Sequence, residues 1–500
     1  MKQIFLANLV TALMCAVPVA VAPPIAHAQN LPSLGDVDRA ELSPQMERKL
    51  GEQIMRDIRR DRDYLDDPVV TEYLNNFGGT MLAVTPEARG EAGYDYFFFA
   101  VRDRMMNAFA LPGGFIGVHS ALILAAQNES ELAGVVAHEI GHVAQRHIAR
   151  MLGKQRQDAL IPLAAAVLAA LAARSSPDAS GALLMGGQGL AIQRQLNFSR
   201  DAERAADRVG LQILREAGFE TGGMIQFFGR MQNASRNYTE APAYLRSHPL
   251  TTERIADIQA RTRDQRYKQR PDSLEFQLVR ARVRVLQDLS PQGLRDATTA
   301  FENQLQLKNK IQTVAAKYGL AFIALRQNEP ARAQSLLREA RDAAQGMPAA
   351  KESTILAGLA IDMKLAANQP ADALKEADAA RAQFPVSRSI AWQYADALTA
   401  SGQYDDSIRY LRDQAQLYRQ ESQLHDRLAR AYAAQGKQAL QHMALAESYA
   451  LSGGLLTAID QLTIARRAPD ASFYDQAVID ARERELKALW REEVKEQREK

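Results

Sequence analysis

The segment VVAHEIGHVAQRH, residues 135–147, places His138 and His142 four positions apart, with Glu139 beside the first. On an α-helix, positions i and i+4 are separated by about 40° around the axis and one turn along it, so two imidazoles can grip one ion from the same face. Zinc suits neutral imidazole, and the adjacent carboxylate can take a proton from a water held on the metal. One helical turn therefore offers two ligands and a base. The flanking Val135, Val136, Ala137, Ile140, Val143 and Ala144 carry no charge, so the helix can be buried while its histidines face a cavity.

A catalytic zinc site needs a third protein ligand and one open position. The extended pattern HExxHxxGxxH would put glycine at 145 and histidine at 148, but the chain has Gln145 and Ile148, which excludes the metzincin arrangement. On a continuous helix His147 projects nearly opposite His138, so it reads as structural or surface-exposed. His119 falls near the end of a strand-like stretch and receives no ligand role. FSRDAERAADRVGLQIL, residues 198–214, reads as a helix capped by Ser199, with Glu203 and Asp207 one turn apart. Glu203 can complete a His-His-Glu set, and Asp207 can accept a hydrogen bond from a ligand imidazole and fix its tautomer. The alternative is that both are surface acids paired with Arg204 or Arg208.

The elements that must hold these residues can be read coarsely. Five hundred residues exceed a single hydrophobic core, and a net charge of +2 argues against a nucleic-acid partner bound through phosphate neutralisation. The first thirty residues have Lys2, an apolar run and the small-residue ending AHA, as in a secretory leader cleaved after Ala28. A membrane anchor is the alternative, although Pro18, Pro23 and Pro24 break the run; Cys15 lacks the setting of a lipidated cysteine. Removal of residues 1–28 would leave a cysteine-free chain suited to a bacterial periplasm. Ser43 and Pro44 suit the start of a helix, YDYFFFAV reads as a buried strand, and GGFIGVHSALI supplies another, with a turn at Pro112–Gly114 between. Asn128 and Glu131 have capping-box spacing at the start of the HExxH helix. Residues 159–173 are apolar but too few for a comfortable membrane span; a buried or cleft-covering helix is expected, with peripheral membrane contact as the alternative. The Gly- and Ser-rich residues 175–189 read as a mobile loop.

The back half is rich in Ala and Leu at helical spacing. Gly436 follows Gly402 by 34 residues and Gly453 follows 17 later, whole and half steps of a tetratricopeptide-like repeat. The expected organisation is a leader at 1–28, a domain carrying the HExxH helix at 29–268 and an α-solenoid at 269–500 ending in a charged helix from about residue 473.

NAFALPGG, HEIGH, ERAAD and SHPLTTERI occur in this order in the gluzincin metallopeptidases related to HtpX and the CAAX prenyl endopeptidase, and residues from about 38 to 260 resemble that family. An exported catalytic part followed by tetratricopeptide repeats resembles the beta-barrel assembly-enhancing proteases of Gram-negative bacteria. The resemblance implies a mainly α protein: a zincin-like α+β metallopeptidase domain with a small sheet, followed by the solenoid. It implies one zinc ion per chain on His138, His142 and Glu203, with Glu139 as general base. His248 matches a histidine that can approach the metal, as fourth ligand, gate or transition-state stabiliser. The strand after NAFALPGG is expected to run along the cleft with an edge free for substrate. The implied function is a periplasmic endopeptidase acting on unfolded or stalled outer-membrane proteins, its repeats engaging substrate or the outer-membrane assembly machinery. A chaperone or assembly factor in which proteolysis is secondary is the alternative.

Overall fold

The computed structural model describes residues 42–90, 92–153, 199–237, 243–263, 270–347 and 353–498. The leader with its cleavage point, the apolar run 159–173 and the loop 175–189 lie outside these residues.

Helix α1 (Pro44–Arg60) starts where the sequence indicates: Ser43 accepts a hydrogen bond from the Met46 amide and Pro44 occupies the first turn. Asp67 caps α2 (Pro68–Val84) in the same way. Between these helices lies a three-stranded sheet of β1 (Phe97–Val101), β2 (Ala108–Leu111) and β3 (Phe115–His119), in the order β1-β3-β2. Alternate side chains of a strand point to opposite faces. Phe99, Leu111 and Phe115 accordingly pack on Ile54, Met55 and Ile58 of α1. Phe98, Ala100, Ile116 and Val118 join the main core on the other face.

The sheet corrects one expectation. β3 pairs in parallel with β1 and antiparallel with β2, so neither of its edges is free. NAFAL is itself a strand, because Gly113 and Gly114, at φ 78° and 91°, turn the chain back on itself. Gly117 leaves room for the Phe109 ring, which a Cβ there would meet at 2.4 Å. The outer edge of β1 is plugged: Asn75 bonds both the amide and the carbonyl of Phe98, and the Leu65 amide donates to Ala100. Among the described residues the open edge is that of β2.

After α3 (Ser120–Ala125), every residue of α4 (Glu129–Ala144) is buried. Asn128 caps it through the Glu131 amide, but Glu131 accepts from Gln127 rather than returning to Asn128, and pairs with Arg230. Helix α4 ends at Gln145; Arg146 sits at φ 51°, and α5 (His147–Gly153) departs in a new direction. The chain resumes in α6 (Arg200–Glu216), α7 (Gly222–Asn237), α8 (Ala243–Ser247) and α9 (Thr252–Thr262).

From α10 (Leu274–Leu286) onward the described chain is helical: α11 (Pro291–Leu305), α12 (Lys310–Arg326), α13 (Pro330–Ala343), α14 (Thr354–Ala366), α15 (Pro370–Gln383), α16 (Arg388–Ala400), α17 (Tyr404–Leu417), α18 (Ser422–Ala434), α19 (Gln438–Leu451), α20 (Leu455–Arg467) and α21 (Phe473–Arg498). Consecutive helices pack on each other as a solenoid. Gly402, Gly436 and Gly453 all occupy turns at positive φ. The solenoid is not loosely tethered. Ser273 Oγ donates to Glu129 Oε1 at 2.7 Å, and the Glu129 amide donates to Asp272 at 2.8 Å, interlocking the starts of α4 and α10. Arg282 of α10 reaches the α2 cap Asp67 at 2.8 Å, and one hydrophobic cluster runs from Leu65 to Met363. No described helix is long and apolar enough to cross a membrane.

Candidate metal centre

Two glycines bring the site together. A Cβ on Gly141, inside HEIGH, would lie 2.8 Å from the Ala206 carbonyl oxygen; one on Gly210 would lie 3.2 Å from the His138 amide nitrogen. Their absence lets α4 and α6 approach closely, which lays Glu203 and Asp207 against His138 and His142. The turn between α8 and α9 adds His248, whose amide donates to the Tyr244 carbonyl at 2.8 Å.

The Nε2 atoms of His138 and His142 lie 3.0 Å apart. Glu203 Oε1 is 3.3 Å from His142 Nε2, and Oε2 is 3.5 Å from His138 Nε2. His248 Nδ1 is 3.4 Å from His138 Nε2 and 3.0 Å from Glu203 Oε1. Donors bound tetrahedrally at about 2.0–2.1 Å from one ion are separated by roughly 3.3 Å. The printed pairs thus lie near the separations that one small divalent cation imposes, all four donors fall within 4.8 Å of one another, and all four side chains are buried. Nitrogen and carboxylate donors without a thiolate suit a first-row metal.

The electrostatics point the same way. Burial alone would raise the Glu203 carboxyl, but His248, His138 and His142 hold it well below the ordinary carboxylate range. Asp207 is likewise lowered, burial being outweighed by Arg254 and His138. Burial would depress His138, yet its hydrogen bonds to Asp207 and Glu203 lift it to about 9. The pocket therefore demands positive charge at the point where the donors converge. Asp207 Oδ1 lies 2.9 Å from His138 Nδ1, leaving Nε2 for the converging set.

Glu139 is fully buried, and among the described residues neither carboxylate oxygen has a hydrogen-bond partner; His248 Nε2 is 3.6 Å from Oε1. A buried carboxylate without partners is costly, and such exceptions cluster at functional sites.

The residues singled out in the sequence meet here: His138, Glu139, His142, Glu203, Asp207 and His248. The two acids do not pair with Arg204 or Arg208. His119 stays apart, bonded to the Met105 carbonyl and to Asp103. Of the two placements read for His147, structural or surface-exposed, the second is corrected, as is its projection away from His138. The helix on which that projection relied breaks at Arg146, so His147 turns inward, buried, with Nδ1 3.0 Å from His142 Nδ1.

Two residues received no role from the sequence. Arg254 donates through Nε and Nη2 to the two Asp207 oxygens, both at 2.8 Å. Its Nη1 also lies 2.6 Å from Glu203 Oε2, an ion contact without hydrogen-bond alignment. Tyr244 stacks on His248 with ring centroids 4.6 Å apart, and its amide donates to the Met106 carbonyl just ahead of β2. The Tyr244 hydroxyl is buried without a partner among the described residues. Arg254 sits in SHPLTTERI beside His248, the one signal that could have revealed it; Tyr244 carries none.

The sequence pattern of peptidase family M48 matches residues 81–262. The beta-barrel assembly-enhancing protease of Escherichia coli (strain K12) is 31% identical over 485 residues, covering 96% of each chain. A putative beta-barrel assembly-enhancing protease of Vibrio cholerae is 35% identical over 321 residues, 63% of this chain and 64% of the relative. The mitochondrial metalloendopeptidase OMA1 of Schizosaccharomyces pombe is 32% identical over 161 residues, 32% of this chain and 44% of its own. Similarity sustained along almost the whole of two chains, around a buried donor set of this composition, makes the protein a metalloendopeptidase belonging to peptidase family M48.

Proposed function

We propose that the protein is a periplasmic zinc endopeptidase that degrades misfolded or stalled outer-membrane proteins and assists outer-membrane assembly. A leader at 1–28 removed after Ala28, a peptidase domain at 29–268 and a solenoid at 269–500 that engages substrate or assembly machinery belong to this reading. His138, His142 and Glu203 hold the zinc. When bound, zinc supplies Lewis acidity, lowering the pKa of a water and polarising a peptide carbonyl. Glu139 accepts the proton of the attacking water and returns it to the departing amine. Asp207, braced by Arg254, fixes the His138 tautomer. The free edge of β2 aligns an extended substrate backbone.

The observation that carries the reading is the Glu139 carboxylate, fully buried and without a hydrogen-bond partner among the described residues, beside four converging donors. The name of the relatives matched along almost their whole length, beta-barrel assembly-enhancing protease, supports β-barrel proteins as substrates, and the leader read in residues 1–28 supports export. His248, within reach of the same point, acts as a displaceable fourth ligand that keeps the enzyme latent. His248→Ala is expected to raise peptidase activity, and complete loss without any gain would remove the latency idea. The decisive experiment measures bound zinc and degradation of an unfolded outer-membrane protein by wild type and Glu139→Gln. Equal degradation by the two would leave only the second reading, a chaperone working through its repeats.

A further inference from the structure

We propose that Glu47, in the first turn of α1, is a positioning residue for the metal centre: by fixing Arg146 in a left-handed turn it aims His147 at His142, and so sets which nitrogen of His142 faces the cation. This rests on the reading of His142 as a metal ligand and deepens it.

Glu47 stands far ahead of the HExxH segment and outside every motif of the site. It is 2% exposed, and it accepts hydrogen bonds from Arg146 Nε, at 2.7 Å, and from Arg146 Nη2. The same Nη2 donates to the Leu42 carbonyl at 2.6 Å, one residue ahead of the α1 cap Ser43. Leu42 is itself buried and packs on Ala149 of α5. The start of α1 therefore grips both sides of the break. Glu47 and the Leu42 carbonyl hold the guanidinium of the turn residue, and the Leu42 side chain holds the departing helix.

The turn needs such a grip. At the end of α4 the Gln145 amide donates to the Gly141 carbonyl and the Arg146 amide to that of Val143, while the Arg146 carbonyl accepts the Arg150 amide at the start of α5. One residue thus ends one helix and begins the next, and it does so at φ 51°. Helices that end in this conformation usually place glycine or asparagine there, because other side chains crowd the following carbonyl. Asn328 and Asn368 occupy such positions in the solenoid. Arg146 has neither advantage, so its conformation depends on contacts made outside the turn.

A pair that merely fastens α1 to the domain is the simpler alternative, and the energetics disfavour it. Buried ion pairs seldom stabilise on balance, because desolvation offsets the attraction. Burial raises the Glu47 carboxyl even with Arg146 beside it. Two apolar side chains would fasten α1 equally well, but they would not hold an arginine at positive φ. The geometry of the break gives the pair its use. On an unbroken helix His147 would project about 140° around the axis from His142. With the break, the two Nδ1 atoms meet at 3.0 Å, which leaves His142 Nε2 among the converging donors, 3.3 Å from Glu203 Oε1.

The test measures zinc affinity of the full chain and its variants by competition with a chromophoric chelator, with circular dichroism to establish that each is folded. Glu47→Met, similar in length but without an acceptor, is expected to weaken binding about tenfold or more, as loss of a ligand's hydrogen-bond partner does. Glu47→Gln keeps one acceptor and should fall between; it serves as the comparison if the methionine variant does not fold. Glycine adopts positive φ unaided, so Glu47→Met with Arg146→Gly should recover affinity to within about threefold of wild type. Glu47→Met with Arg146→Ala should not. A pair that only fastened α1 would not tell glycine from alanine. Adding Glu47→Met to His147→Phe should weaken binding no further than His147→Phe alone, since both act through one contact. Full affinity in Glu47→Met, equal recovery with glycine and alanine, no recovery with either in a folded chain, or losses that add in the His147 combination would overturn the proposal. Zinc affinity unchanged in His142→Ala would remove the ligand reading itself. A loss in His142→Ala with none in Glu47→Met removes the role of Glu47 alone.

Discussion

His142 and His147 face each other through their Nδ1 atoms at 3.0 Å, a contact that exists only because the helix breaks between them. Arg146 adopts φ 51° and is held there by Glu47 and by the Leu42 carbonyl at 2.6 Å. For His142 to present a bare Nε2 to a cation, its proton must sit on Nδ1 and be donated to His147. His147 can accept it only when neutral, and burial with the nearby Arg150 lowers it to about 4, so it is neutral at pH 7. Partners of this kind commonly contribute 10–100-fold in metal affinity. His147→Phe is therefore expected to weaken metal binding by about that factor, measured by competition with a chromophoric chelator. Unchanged affinity would make the contact mere packing.

Arg254 is almost fully buried and serves two carboxylates at once. Removing one member of a buried ion pair leaves the other charged and unsolvated, typically at a cost of 3–5 kcal/mol. Arg254→Ala should lower the unfolding free energy by about that amount in urea titrations, and Arg254→Lys should recover only part, because an ammonium cannot donate to both Asp207 oxygens in parallel. Pairing Arg254→Ala with Asp207→Asn should cost less than the sum of the two. Strict additivity would show that the contact carries no coupling.

The distinction between these two arginine-dependent features and the rest marks where the sequence was readable. His138 and His142 could be found because helical periodicity fixes their facing, Glu203 and Asp207 because that motif and the family resemblance called for a further ligand, and Gly402 and Gly436 because a repeat copies its own turns. His147 could not, because one residue at positive φ cancels the periodicity on which its projection depended. The edge role given to the strand after Gly114 failed for a similar reason. Which neighbour pairs with a strand is settled by a tight turn and by the space above Gly117, not by the strand's own residues. Tyr244 reaches the site through a folding-back that has no local signature, and Arg254 had only its place in SHPLTTERI, which says nothing of the carboxylates it meets.

The elevated His138 imidazole has a consequence for metal uptake. Without metal it is protonated below about 9, because Asp207 and Glu203 outweigh the effect of burial. Its folded pKa exceeds the unfolded one, so this interaction stabilises the metal-free fold most fully below pH 6.5 and is lost as pH rises through about 9. A cation must displace that proton. Calorimetry at pH 7 in buffers of different ionisation enthalpy should find about one proton released per metal bound, and the affinity should rise about tenfold per pH unit until pH 9, then level off. Proton release that stays constant above pH 9, or is absent at pH 7, would contradict this assignment.

Tyr244 carries a hydroxyl without a partner among the described residues, at a point packed against His248 and close enough to Glu139 for that carboxylate to help raise the phenol well above its usual range, burial being the larger cause. An unmet buried donor costs about 1–3 kcal/mol. Tyr244→Phe keeps the ring stacked on His248 and removes only that oxygen, so the variant should be more stable than wild type by about 1 kcal/mol in urea unfolding. If the hydroxyl instead finds its partner in the oxyanion that forms as a peptide carbonyl is attacked, the same variant should lose roughly 100-fold in kcat. KM should hardly change, because the bond is made only in the transition state. A gain in stability together with a loss in turnover is the expected outcome. Stability gained with kcat intact would reduce Tyr244 to a ring that packs, and stability lost would mean that its hydroxyl is already satisfied in the resting protein.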